Sequence, residues 1–189
     1  MRYFTFLTYV IGSFLAMGGA AQAQTCVPDT IRVEAEHFVA SFDKTPGNEG
    51  GVYRLGDTDI EPTIDVGGGF QVAYMEDTET LDYQFNQKTY PWYIRVRVSS
   101  ATGAGKIRIT SLNNPVRPAV EIPIPNTGGW NNFVTLSAAI PGGLYATEGL
   151  IRVQVIQTNS PSERYILNLN WLELSATPES TYPVGCAPV

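Results

Sequence analysis

Tyr93-Ile94-Arg95-Val96-Arg97-Val98 alternates apolar and charged side chains without a break. Successive side chains of a strand point to opposite faces, so this run is a half-buried strand with Ile94, Val96 and Val98 turned inward. Lys106-Ile107-Arg108-Ile109-Thr110 and Ile151-Arg152-Val153-Gln154-Val155 repeat the pattern, again with Arg, Lys or Gln on the outward face. Strand signals also fall at residues 31–35, 70–75, 80–85, 120–124, 133–136 and 166–174, separated by turn chemistry. After residue 23 no segment carries a sustained helical period with caps. Many short strands at even spacing predict an all-β sandwich or jelly roll.

One of these strands carries an unusual load. Asn168-Leu169-Asn170-Trp171-Leu172-Glu173-Leu174 has the apolar mass of a strand, yet two asparagines interrupt it, and Asn is depleted in strands. Period-2 geometry puts Asn168 and Asn170 on one face, and Leu169 and Trp171 on the other. Amides repeated on one face need hydrogen-bond or metal partners, so this strand is expected to carry the functional site.

The ends of the chain set its context. Arg2, the apolar run 4–17 and Ala21-Gln22-Ala23 read as a signal peptide over residues 1–23, leaving residues 24–189 as a single module without repeat or linker. The alternative is an N-terminal anchor, for which the apolar run is short. Export predicts an oxidising compartment and a disulfide between Cys26 and Cys186, which would bring the termini side by side. The chain has 12 Lys and Arg against 18 Asp and Glu, a net charge of −6. An acidic surface repels phosphate backbones and polyanionic sugars, which leaves neutral partners and disfavours nucleic acid.

Three further features bear on chemistry. Residues 37–69 form a long irregular stretch rich in Gly, Asp, Thr and Pro, and so long a loop is usually functional or clamped by a ligand or ion. Glu34-Ala35-Glu36 puts two carboxylates on one face of a strand. They are either a solvated acidic edge or a Ca²⁺ site completed by the Asn170 amide oxygen. Thr127-Gly128-Gly129-Trp130-Asn131 presents a tryptophan on a glycine turn, either a core residue or a flat platform for a sugar ring, with Tyr74 as the opposing wall. The only histidine is His37, and no nucleophile elbow, zinc spacing or phosphate loop is present.

These blocks, in this order, resemble the family 6 carbohydrate-binding modules. The resemblance rests on Val33-Glu34-Ala35-Glu36-His37-Phe38, Gly50-Gly51-Val52-Tyr53-Arg54 with Asp59-Ile60-Glu61, and Gly68-Gly69-Phe70-Gln71-Val72-Ala73-Tyr74. It continues through Leu81-Asp82-Tyr83, Thr127-Gly128-Gly129-Trp130 and Asn168-Leu169-Asn170-Trp171-Leu172-Glu173, spanning residues 31–174. It implies a β-sandwich of jelly-roll type with a structural calcium and a glycan site in loops at one end. By position, Tyr74 and Trp130 would sandwich a sugar ring with Asn168 as the hydrogen-bonding amide. Glu34, Glu36 and Asn170 would hold calcium, with a backbone carbonyl near Arg54. Two departures stand out: Thr78-Glu79-Thr80 replaces a Gly-(Asp/Glu)-Trp block, and an insertion over residues 158–164 lengthens a loop beside the site.

The expectation is a secreted, monomeric, non-catalytic module that binds a neutral β-linked polysaccharide or its chain ends. Two other classes remain open from sequence. One is an extracellular adhesion or assembly protein that uses the same sandwich to hold a protein partner. The other is a small glycoside hydrolase or lyase, for which Glu76, Asp77, Glu79 and Asp82 would supply carboxylates.

Overall fold

The computed structural model describes residues 30–86, 91–144, 148–158 and 162–176. Eleven strands and one 3-10 turn are built from them: β1 (Thr30–Glu34), the turn Ala35–His37, β2 (Ala40–Phe42), β3 (Ile60–Pro62), β4 (Phe70–Met75) and β5 (Thr80–Gln84). They continue as β6 (Tyr93–Ser100), β7 (Gly105–Ser111), β8 (Val120–Pro123), β9 (Gly129–Ala139), β10 (Leu150–Gln157) and β11 (Leu167–Ser175). The segment expected to be a signal peptide, residues 1–23, and the two cysteines expected to pair, Cys26 and Cys186, lie outside the described residues.

Two antiparallel sheets face each other. One runs β3-β4-β11-β6-β9, with β1 also paired to β11; the other runs β2-β5-β10-β7-β8. The inward sets of the alternating strands, Ile94, Val96 and Val98 with Ile107, Ile109, Ile151, Val153 and Val155, pack into a single core between the sheets. This is the all-β sandwich that the period-2 pattern predicts.

The sequence reading missed β2 and β3, which lie inside the irregular stretch 37–69. Each has three residues and sits at a sheet edge, too short to show a period. The Glu34-Ala35-Glu36 segment is not one continuous strand either. β1 ends at Glu34, and Glu36 sits in the 3-10 turn, held by Arg54, whose guanidinium donates to the Glu36 carbonyl.

β11 organises the functional end of the molecule. Along one edge it pairs first with β4, at Leu167↔Met75 and Leu169↔Val72, and then with β1, from Glu34↔Trp171 to Thr30↔Ser175. Asn170 falls at this hand-over. On its other edge β11 pairs with β6, and the register slips between Leu169 and Trp171, leaving Asn170 as an extra residue. Such a bulge re-aims side chains. It corrects the expectation that Leu169 and Trp171 share a face: Leu167, Leu169, Leu172 and Leu174 all enter the core, whereas Trp171 lies outside it under the Arg32 guanidinium, 3.9 Å from its ring centroid.

Candidate functional site

Two more irregularities build a cleft at this end. Opposite Asn168, β4 supplies two residues, Ala73 and Tyr74, between the pairs that flank it. Tyr74 takes φ 54°, a left-handed conformation unusual for a tyrosine, and its N–H donates to Asn168 Oδ1 at 3.1 Å. Across the sheet, Ser99 pairs with Asn168, while β9 loops out residues 130–133 between Gly129 and Val134. Gly128, at φ 89°, starts this excursion in a conformation that a side chain would strain. The Trp130 carbonyl then accepts from Asn168 Nδ2 at 3.1 Å and from the Ser99 hydroxyl. One buried amide, 4% exposed, therefore fixes the backbones of both aromatic residues.

Between them lies a cleft of about 500 Å³, lined by Glu61, Pro62, Ile64, Tyr74, Trp130, Asn131, Tyr165 and Asn168. All three residues predicted for glycan contact meet here. Asn168 does more than the expectation gave it, since it brackets the aromatics as well as facing the cleft. Trp130 is half-buried, so it belongs to the cleft wall rather than the core. Tyr165, which follows the inserted loop, packs edge-on against Tyr74 with centroids 5.3 Å apart. It was not anticipated, although the insertion beside the site was its signal.

Glu61 gives the cleft its polarity. Its carboxylate accepts from the Tyr74 hydroxyl at 3.0 Å and from Gln71 Nε2 at 2.6 Å. The hydrogen bond to Glu61, with burial, pushes the Tyr74 phenol up. Flat apolar rings beside fixed acceptors suit a ligand with C–H faces and hydroxyl edges. Glu76, Asp77, Glu79 and Asp82 are absent from the cleft lining. Glu76 pairs with Arg164 at 2.7 Å, Asp82 with Arg152 at 2.7 Å, Asp77 accepts from the Gln157 N–H at 2.8 Å, and Glu79 accepts from the Glu76 N–H at 2.9 Å. His37 stands beside Tyr53, centroids 6.0 Å apart.

A second recess, of about 250 Å³, is lined by Arg32, Glu34, Glu36, residues 66–69, Asn170 and Trp171. Glu34, Glu36 and Asn170, the predicted calcium ligands, are thus brought together. Two buried oxygens in it, Glu36 Oε2 and Asn170 Oδ1, have no hydrogen-bond partner. Burial pushes the Glu36 carboxyl up, and neighbouring Glu34 adds to that. Orphaned oxygens on a recessed, crowded anionic pair fit a hard cation. Among the described residues no three His, Cys, Asp or Glu side chains converge, so such an ion would also need the amide and backbone oxygens.

Arg54 is the exception. It does not line the recess: its carbonyl accepts from Asn48 Nδ2 at 3.4 Å, and its guanidinium stacks on Phe38 while donating to the Glu36 and Phe38 carbonyls. It steadies the turn that carries Glu36 from behind, while the glycines 67–69 are among the residues that line the recess. Asp65, also missed from sequence, accepts Asn170 Nδ2 at 2.7 Å and a bidentate Arg97 at 2.6 and 2.8 Å. Those bonds, Arg97 foremost, hold its carboxyl below the usual carboxylate range.

Known proteins match this architecture. A family 6 module of Cellvibrio mixtus lichenase 5A, solved with cellotriose, is 25% identical with a TM-score of 0.57, covering 78% of this chain and 97% of that one. The C-terminal family 6 module of a marine laminarinase from Zobellia galactanivorans is 24% identical, TM-score 0.57, covering 77% and 98%. A β-1,3-glucan-binding family 6 module from Bacillus halodurans is 25% identical, TM-score 0.55, covering 75% and 92%. The family model described as carbohydrate binding module (family 6) matches residues 52–176. The sandwich, the aromatic cleft and this match over most of the chain lead to one assignment: the protein belongs to family 6 of the carbohydrate-binding modules.

Proposed function

We propose that the protein is a secreted, monomeric, non-catalytic module that binds a neutral β-linked polysaccharide or its chain ends in the Tyr74–Trp130 cleft. The observation that carries this reading is the single Asn168 amide that holds both aromatic backbones on either side of an open cleft. Sugar C–H faces would stack on the rings while ring hydroxyls donate to Glu61 and accept from the second N–H of Asn168. Glu61 and the net negative charge favour neutral sugars over uronates. Modules solved with cellotriose and named for β-1,3-glucan support a β-glucan ligand. Within the described residues no helix is long and apolar enough to cross a membrane. Calcium in the second recess would neutralise Glu34 and Glu36 and take the Asn170 oxygen, joining β1 to the β4 edge of β11.

Affinity electrophoresis of the protein and of Trp130→Ala through gels containing each neutral polysaccharide tests this. Retardation by one glycan that disappears in Trp130→Ala is the expected result. If no glycan slows the folded protein, the carbohydrate reading fails for this chain and a protein partner takes its place.

A further inference from the structure

Residues 63–69, between β3 and β4, separate the two sites. Ile64 lines the cleft; Val66 and residues 67–69 line the recess. Neither apolar side chain anchors this loop, because Ile64 is 75% exposed and Val66 91%. Its internal bonds are few: the Thr63 N–H to the Gly69 carbonyl at 3.1 Å, the Gly68 N–H to the Asp65 carbonyl at 3.0 Å, and the Asp65 N–H to Thr63 Oγ1 at 3.2 Å. What ties it to the sheet is the Asp65 side chain, only 5% exposed, bound to Arg97 on β6 and Asn170 on β11.

The same bond orients Asn170. A carboxylate only accepts hydrogen bonds, so Asp65 takes the Nδ2 edge of the amide and leaves Oδ1, buried and without a partner, to the recess. Without Asp65 the amide is free to turn its N–H edge toward the recess, where it would repel a cation. Groups that orient a metal ligand tune the site they do not touch. Conversely, a cation that fixes Asn170 Oδ1 fixes the partner Asp65 leans on, and with it the Ile64 wall of the cleft.

We propose that Asp65 is a positioning residue linking the cation recess to the glycan cleft, so that each site binds more tightly when the other is filled. This rests on the glycan and calcium readings above, and coupling must be reciprocal. The first test uses Ca²⁺ alone, read by calorimetry and by hydrogen exchange. In the wild-type protein, Ca²⁺ slows exchange of the Thr63, Asp65 and Gly68 amides; in Asp65→Ala, which removes the acceptor, exchange of Thr63 and Gly68 no longer responds and Ca²⁺ binds about tenfold more weakly. Ca²⁺ that binds the wild type without slowing those amides overturns the link, whatever glycan is bound.

The second arm measures cellotriose and laminaritriose affinity with Ca²⁺ and with chelator. A gain of about fivefold or more with Ca²⁺, matched by an equal gain in Ca²⁺ affinity when sugar is present, supports coupling. Equal sugar affinity in both conditions refutes it and leaves the glycan reading standing. No sugar binding under either condition, with the amides still slowed by Ca²⁺, refutes the glycan reading and keeps the Asp65 link between recess and loop. Because both arms can be read in the wild type alone, a misfolded Asp65→Ala does not shield the proposal.

Discussion

Replacing Asn168 by Ala separates a bracket from a simple sugar contact. Asn168 accepts from the Tyr74 N–H and donates to the Trp130 carbonyl from a position 4% exposed. The Trp130 carbonyl keeps its bond from Ser99, but the Tyr74 N–H loses its acceptor. An abandoned donor costs about 1–3 kcal/mol and the lost bond to Trp130 about 1 kcal/mol more. The expected loss is therefore about 3 kcal/mol, or about 6–12 °C in melting temperature for a domain of this size. Glycan affinity should fall with it, because the left-handed Tyr74 relaxes once its N–H is released. Trp130→Ala, at a half-buried wall position, should abolish retardation while lowering the melting temperature by much less. Asn168→Asp sharpens the comparison: its carboxylate still accepts from Tyr74 but faces the Trp130 carbonyl without a proton, so it should melt higher at pH 4 than at pH 7 relative to wild type. Thermal unfolding and affinity electrophoresis on the three variants decide the matter. A variant Asn168→Ala that loses glycan binding with an unchanged melting temperature would refute the bracket and leave Asn168 as a sugar contact alone.

Two other substitutions probe the Thr78-Glu79 turn. Thr78 has φ 73° and an exposed side chain, and its N–H donates to the Val155 carbonyl at 2.9 Å, a bond that glycine keeps. Thr78→Gly should relieve about 1–2 kcal/mol of strain against about 0.5–1 kcal/mol of added unfolded-chain entropy, raising the melting temperature by about 2 °C; a fall would contradict this. Glu79, 4% exposed, is pushed up to about 7 by burial, with the Asp43 and Glu76 charges adding. Its folded value lies above its ordinary 4.5, so its stabilising contribution is complete below pH 4.5 and lost as pH rises through about 7. Glu79→Gln should flatten the fall in melting temperature between pH 5 and pH 8, and an unchanged slope in the variant would show that Glu79 does not titrate there.

The strands that face solvent on one side were legible because burial writes a period of two into the sequence, as in residues 93–98 and 151–155. What that period cannot show is where it breaks. A strict period puts Trp171 on the face of Leu169, and one extra residue at Asn170 moves it out of the core. β2 and β3 were lost because three residues at an edge are too few to repeat. Asp65 and Asn170 stand 105 positions apart, and Tyr74 and Asn168 stand 94 apart. Such pairs exist only once register is set, so sequence could name Asn168 and Asn170 as needing partners but not say which. Arg54 shows a related limit: its place in the chain suggests a carbonyl ligand, and nothing in the sequence shows that its side chain reaches back to donate to the Glu36 carbonyl.

The two asparagines explain each other through the irregular ladder around them. A regular β11 would satisfy its neighbours by backbone bonds, and an amide side chain there would be a burden. At Asn168 the extra residue on β4 leaves the Tyr74 N–H without a ladder partner, and the side chain supplies the missing acceptor. At Asn170 the hand-over from β4 to β1 opens a gap in the sheet edge, and the side chain fills it with one edge bonded to Asp65 and the other left to the recess. In both places a side-chain amide replaces a backbone one because it carries donor and acceptor on one rigid plane. Serine would supply a single oxygen, and aspartate no donor. The cleft and the recess therefore sit side by side because the departures of β11 from regular pairing fall at neighbouring outward positions, and a substitution at either asparagine should be felt at both sites.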